Sequence, residues 1–166
     1  ERSNVKMTGR KKIRNPFDAD MYHCFGCSPG NPIGLKLTFE EEDGKLIAYW
    51  DPLPHFQGYM NVLHGGIIAT LLDEAGAWCI YVTAETSGVT SSMTVRYLKP
   101  VYISKGTVRI EAELVTLQEK SGMYRCNLYD GEGRHCAEAD IEYFLYPENI
   151  ARKRFHFPGR EAFYHD

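Results

Sequence analysis

Two features of chemical interest share one stretch, Asn61 to Tyr81 (NVLHGGIIATLLDEAGAWCIY): a Gly65-Gly66 pair where a helix begins, and a carboxylate, Asp73, inside that helix. Backbone N–H groups in the first turn of a helix have no intrahelical partner, and glycine puts no Cβ in a ligand's way. Gly65 and Gly66 therefore form a candidate oxyanion site. At about 100° per residue, Ile67, Ile68, Leu71, Leu72, Ala75, Trp78, Cys79 and Val82 make one broad apolar stripe that should face a core. The opposite side, Gly66, Ala69, Gly76, Ala77 and Ile80 around Asp73, is small and apolar rather than solvated. A carboxylate there has to be paired, hydrogen-bonded or shifted, since a polar group left dry costs ~2–7 kcal/mol. Each feature also has a purely structural reading. The glycines allow a tight turn, His64 is a satisfied histidine, and Asp73 is an interface residue bonded to a partner helix.

His64-Gly65-Gly66 followed nine positions on by Asp73, with Asn61 three before the histidine, resembles the signature of hotdog-fold acyl-CoA thioesterases of the phenylacetate-pathway type. The resemblance runs on through Cys24-Phe25-Gly26-Cys27, Asn31-Pro32-Ile33-Gly34-Leu35, Gln57-Gly58-Tyr59 and Val95-Arg96-Tyr97-Leu98-Lys99-Pro100. It implies an α+β hotdog fold, an antiparallel sheet wrapped around one long central helix. It further implies a homodimer with the active site between protomers, a dimer of dimers (homotetramer) being common. The implied substrate is an acyl-CoA, hydrolysed to the free acid and CoA. Coenzyme A then enters as part of the substrate, and no separate cofactor is expected.

Thioester hydrolysis needs an attacking water or carboxylate and fixed donors for the developing oxyanion, one such donor typically contributing ~10²–10³ in rate. On the resemblance, Asp73 is the general base or nucleophile and the Gly65 and Gly66 amides are the oxyanion donors. His64 and Asn61 hold the turn and orient the carbonyl. Thr90, ten residues before Pro100, stands where the family often has a hydroxyl residue that places the water, in the partner's site. Glu74 is the alternative carboxylate, with its direction along the helix toward Tyr81 and Ile67. For the phosphates of CoA the candidates are Arg96, Lys99 and Lys105, which also read as ordinary solvated charge.

Two other classes stay open. One is a non-catalytic acyl-CoA-binding or regulatory module. The other is an acyl-chain dehydratase, because His156-Phe157-Pro158-Gly159 resembles the catalytic histidine segment of hotdog acyl-carrier-protein dehydratases. That segment follows the last strand here, and the chain before the helix reads His55-Phe56-Gln57-Gly58 instead, so the dehydratase reading weakens.

The elements that must position these residues follow from length and pattern. A chain of 166 residues, 43% hydrophobic, suits one domain with a sizeable core. The net charge of −3 gives no broad attraction to nucleic acid, and neither a membrane-spanning run nor a signal-peptide pattern is read. A cytoplasmic location is the expectation, with a removed upstream segment left open by the start at Glu1. The odd cysteine count, five, points to reduced thiols. His23-Cys24-Phe25-Gly26-Cys27 has half of a zinc site's spacing, but no second close Cys/His pair follows, so no metal is expected.

Residues 1–34 read as a basic N-terminal arm and lead-in, 35–146 as the hotdog domain, and 147–166 as a basic, aromatic tail that docks on the body or a neighbour. Strands are expected over 35–41 and 45–50 around an Asp43-Gly44 hairpin turn, then over 90–98, 107–115, 123–129 and 135–146 after the helix. The loop 51–62 delivers the chain to the helix and is a candidate wall of the acyl pocket. Trp50, Phe56, Tyr59 and Trp78 are aromatic candidates for that wall, each with a core reading beside it.

Overall fold

Period-2 alternation makes each strand after the helix apolar on one side, and such strands gain stability by sharing a sheet around whatever covers that side. In the structure, a computed structural model that describes residues 9–164, they do so around the helix. The elements in chain order are β1 (Lys11–Ile13), β2 (Phe39–Glu42), β3 (Lys45–Trp50), α1 (Gly65–Thr83), β4 (Gly88–Tyr97), β5 (Val108–Leu117), β6 (Ser121–Tyr129), β7 (His135–Leu145) and α2 (Glu148–Phe155). The seven strands form one sheet in the order β1-β2-β3-β5-β6-β7-β4, each neighbouring pair antiparallel. Ile110, Ala112, Cys126, Leu128, Ala139, Ile141 and Tyr143 project from the inner face and are fully buried. They belong to one core with Ile68, Leu71, Leu72, Ala75 and Cys79 of α1. This is the α+β architecture of the hotdog fold.

Three readings change in the structure. The strand expected over 35–41 is shorter, because Leu35 and Leu37 donate backbone bonds to Phe25 (2.7 Å) and Gly26 (2.9 Å) instead of to a strand. Lys36 takes a positive φ of 55° between them, while Leu35, Leu37 and Phe39 stay buried as the alternation requires. Second, the small-residue side of the helix, expected to lie near a partner, is covered at Gly76 and Ile80 within the chain itself, with Tyr143 against Gly76. Third, α1 is long and apolar enough, by length and composition alone, to cross a membrane, although no spanning run is read from the sequence; here it is the core helix, half of it buried.

The ends pack on this body. Of the N-terminal arm, residues 1–8 lie outside the described residues, and residues 11–13 add the edge strand β1 to β2. In the tail, Phe157 and Phe163 are buried against α1, with Phe163 stacked on Tyr81 at 4.6 Å and edge-on to Trp78 at 5.6 Å. His156 closes α2 in the left-handed conformation, so the His-Phe-Pro-Gly segment serves as a helix stop and a core anchor.

Candidate active site

The turn before α1 is built by short-range bonds that its residue types allow. Asn61 takes the left-handed region (φ 64°), which asparagine tolerates. Its side chain brackets Ser104, donating to the hydroxyl and accepting from the backbone N–H, both at 2.9 Å. Asn61 thus ties the pre-helix loop to residues 103–104. His64 caps the helix: its Nδ1 accepts from the Gly66 N–H at 2.9 Å. This corrects the expectation for Gly66, whose amide is already engaged. The Gly65 N–H has no partner among the described residues, and it borders a hollow formed with Gly58, Tyr59 and His64. Tyr97, to which the sequence reading gave no role, donates to the Gly65 carbonyl at 2.7 Å and lays its ring against that residue.

Further along α1, Asp73 is half-buried between strands β4 and β7. Its Oδ1 accepts from Thr90 Oγ1 at 2.9 Å and from the Tyr143 hydroxyl at 3.0 Å, and the same hydroxyl reaches the Asp73 backbone carbonyl at 2.8 Å. Oδ2 has no partner among the described residues, which leaves it a free acceptor. Thr90 was expected to serve the partner's site, yet it bonds Asp73 of its own chain. Tyr143 is the functional neighbour that sequence reasoning missed. The available signal was a large polar side chain on the inner face of β7, among Ala137, Ala139 and Ile141, where a buried hydroxyl has to find an acceptor. Burial, with the Asp73 charge behind it, pushes the Tyr143 phenol far up, so it stays a neutral donor. Gly76 makes room for it: a Cβ there would lie 2.3 Å from the Tyr143 oxygen.

Glu74 points elsewhere. Its Oε1 accepts from Cys24 Sγ at 3.3 Å and from Trp78 Nε1 at 3.0 Å, beside a cavity of about 330 Å³ that is not lined by Asp73. Burial pushes its carboxyl up to about 7, with the neighbouring Cys24 charge adding to the effect. The Cys24 thiol is held below its usual range by the bond from Cys27, whose own thiol is pushed up by the same bond. Folding thus brings Glu74, from α1, beside Cys24 and Cys27.

Two of the three cations assigned to CoA are engaged. Arg96 lies on the outer face of β4, opposite β7, and binds Glu138 at 2.7 Å and Asp140 at 2.8 Å. Lys105 binds Glu132 at 2.7 Å. Lys99 is exposed and has no carboxylate partner among the described residues. Of the aromatic candidates, Trp50 and Phe56 are buried against each other as core, Trp78 is stacked on Phe39 and also lines the cavity beside Glu74, and Tyr59 is exposed.

Comparison with known proteins adds four likenesses. Residues 60–137 match the family model described as thioesterase superfamily. A segment of 68 residues is 37% identical to an uncharacterized protein of Schizosaccharomyces pombe, covering 40% of this chain and 39% of that one, so the match spans about two fifths of that relative. Among solved structures, the E. coli PaaI protein from the phenylacetic acid degradation operon superposes with a TM-score of 0.61 at 18% identity, over 69% of this chain and 82% of that one. A crystal structure of a Bacillus halodurans protein with CoA gives a TM-score of 0.58 at 27% identity, over 64% of this chain and 71% of that one.

Proposed function

We propose, from a hotdog fold whose residues 60–137 match the thioesterase superfamily model, that this chain hydrolyses the thioester of an acyl-CoA. The observation that carries the reading is the state of Asp73. One carboxylate oxygen is held by Thr90 and Tyr143, and the other is left free to take a proton from water or to attack a carbonyl. A fixed carboxylate with one open oxygen is what general-base or nucleophilic chemistry requires. The likeness to a protein crystallised with CoA supports an acyl-CoA as the substrate class.

The helix itself argues for a second protomer. Gly65 and Asp73 are eight residues apart on α1, a rise of ~12 Å at 1.5 Å per residue. A base and an oxyanion donor have to lie ~3 Å from the same reacting group. Asp73 of one chain therefore works with the Gly65 turn of a partner chain, and a dimer holds two such composite sites. In each, the Gly65 N–H faces the oxyanion, His64 and Tyr97 brace the turn, and Asp73 serves as base. Lys99 is the cation left for a CoA phosphate.

Thiol release from a panel of acyl-CoAs by the purified chain tests the reading. Turnover of at least one acyl-CoA is expected. No release from any of them, with CoA binding retained by calorimetry, overturns the hydrolase in favour of a binding module.

A further inference from the structure

We propose that Cys24, Cys27 and Glu74 form a zinc-binding site whose fourth coordination position opens on the adjoining cavity. Their ligand atoms lie within 4.8 Å of one another, Cys24 Sγ and Glu74 Oε1 only 3.3 Å apart. A tetrahedral zinc ion with Zn–S of ~2.3 Å and Zn–O of ~2.1 Å spaces its ligands by ~3.6–3.8 Å, so small side-chain rotations close the set. Two thiolates with a carboxylate suit zinc among the common divalent ions, and three protein ligands with one open position describe a site that keeps a water or a small ligand.

The surroundings are shaped for these three side chains. The Cys24-Phe25-Gly26-Cys27 turn is closed by the Ser28 N–H on the Cys24 carbonyl at 3.1 Å, and Asn15 Nδ2 holds the Cys27 carbonyl at 3.3 Å. Gly26 is required by the close approach of the carboxylate, since a Cβ there would sit 2.4 Å from the carboxyl carbon of Glu74. Trp78 Nε1–H fixes the carboxylate by donating to Oε1, the oxygen that also faces Cys24, as outer partners of metal ligands do. Three acidic groups thus converge where Glu74 has no salt-bridge partner among the described residues. A divalent ion, taken up with release of the thiol protons, supplies the missing positive charge. Ser87, one of the residues lining the cavity, carries a buried hydroxyl with no hydrogen-bond partner among the described residues.

The test is a Co²⁺ titration of the full chain after reduction with a phosphine, read by absorption. One ion per chain with an intense sulfur-to-cobalt band is expected, displaced by Zn²⁺ and accompanied by a rise in melting temperature. Cys24→Ser and Cys27→Ser should each abolish the two-thiolate band. Glu74→Gln should weaken binding by more than the ~10-fold that loss of a supporting partner costs. Absence of the band in the reduced wild-type chain overturns the site without reliance on any variant. So does a Cys24–Cys27 disulfide that, once reduced, takes up no metal. Unchanged affinity in a folded Glu74→Gln protein overturns the three-ligand assignment.

Discussion

The Tyr143 hydroxyl reaches Asp73 twice, 2.8 Å from its backbone carbonyl and 3.0 Å from its Oδ1. One O–H faces both acceptors, so the carboxylate is indexed to the helix backbone and cannot swing without losing a buried bond. Thr90 holds the same oxygen from β4. Helix and sheet thereby agree on where the free oxygen points.

Asp73→Asn should keep the shape and the Thr90 and Tyr143 bonds but lose proton acceptance and attack. Thiol release is expected to fall at least ~10²-fold, the low end for a positioned base, with the melting temperature little changed. Glu74→Gln should cost far less turnover. A stable, fully active Asp73→Asn protein would transfer the role elsewhere.

Tyr143→Phe removes the donor and leaves Thr90 to orient the carboxylate. A charge-assisted buried bond is at stake, so unfolding free energy should drop by ~1.5–3 kcal/mol in a urea titration. Turnover should fall in kcat more than in KM, because the substrate's binding groups are untouched. Equal loss in both parameters would assign Tyr143 to substrate binding instead.

Gly76→Ala places a methyl 2.3 Å from the Tyr143 oxygen, and overpacking of this kind costs ~1–3 kcal/mol. In a Tyr143→Phe background the nearest remaining ring carbon is at 3.1 Å, so the same change should cost less. A double-mutant cycle is expected to return a coupling of at least ~0.5 kcal/mol. Simple additivity would mean that the clash is relieved by backbone movement.

Neutralising the three cations should separate them. Lys99→Ala is expected to weaken CoA binding and flatten its salt dependence, whereas Arg96→Met and Lys105→Met leave both unchanged, since those side chains already serve Glu138, Asp140 and Glu132. Hydrogen bonds from Arg96 hold the Glu138 and Asp140 carboxyls below the usual range. Depressed carboxyls stabilise the fold above the unfolded value, ~4, and lose that contribution as pH falls through the folded value. The acid limb of wild-type stability should therefore be shallower in Arg96→Met, measured as melting temperature against pH.

Sedimentation at low micromolar concentration should show a dimer. Among the described residues, the ten-residue strand β4 is paired only on its β7 side, and an unpaired edge of that length calls for a cover. Asp73 and Thr90 lie beside it. A well-behaved monomer with full activity would remove the composite site.

The sequence by itself determined the order of elements, the start of the helix at Gly65 and the strands after it, because hydrophobic period and glycine turns are local properties; the hotdog name for that order came from the resemblance. It marked Asp73 as an exceptional carboxylate for the same reason: its helical neighbours at spacings of three and four are small or apolar. Only the tertiary structure decided what touches it. Tyr143 lies 70 residues away and Cys24 lies 50 residues from Glu74, and side chains that far apart meet only after the sheet has closed round the helix. The strand register likewise set Arg96 opposite Glu138, which turned a candidate phosphate ligand into half of an ion pair. A charge reads as free along a chain, and whether it is free depends on the strand that folding lays beside it.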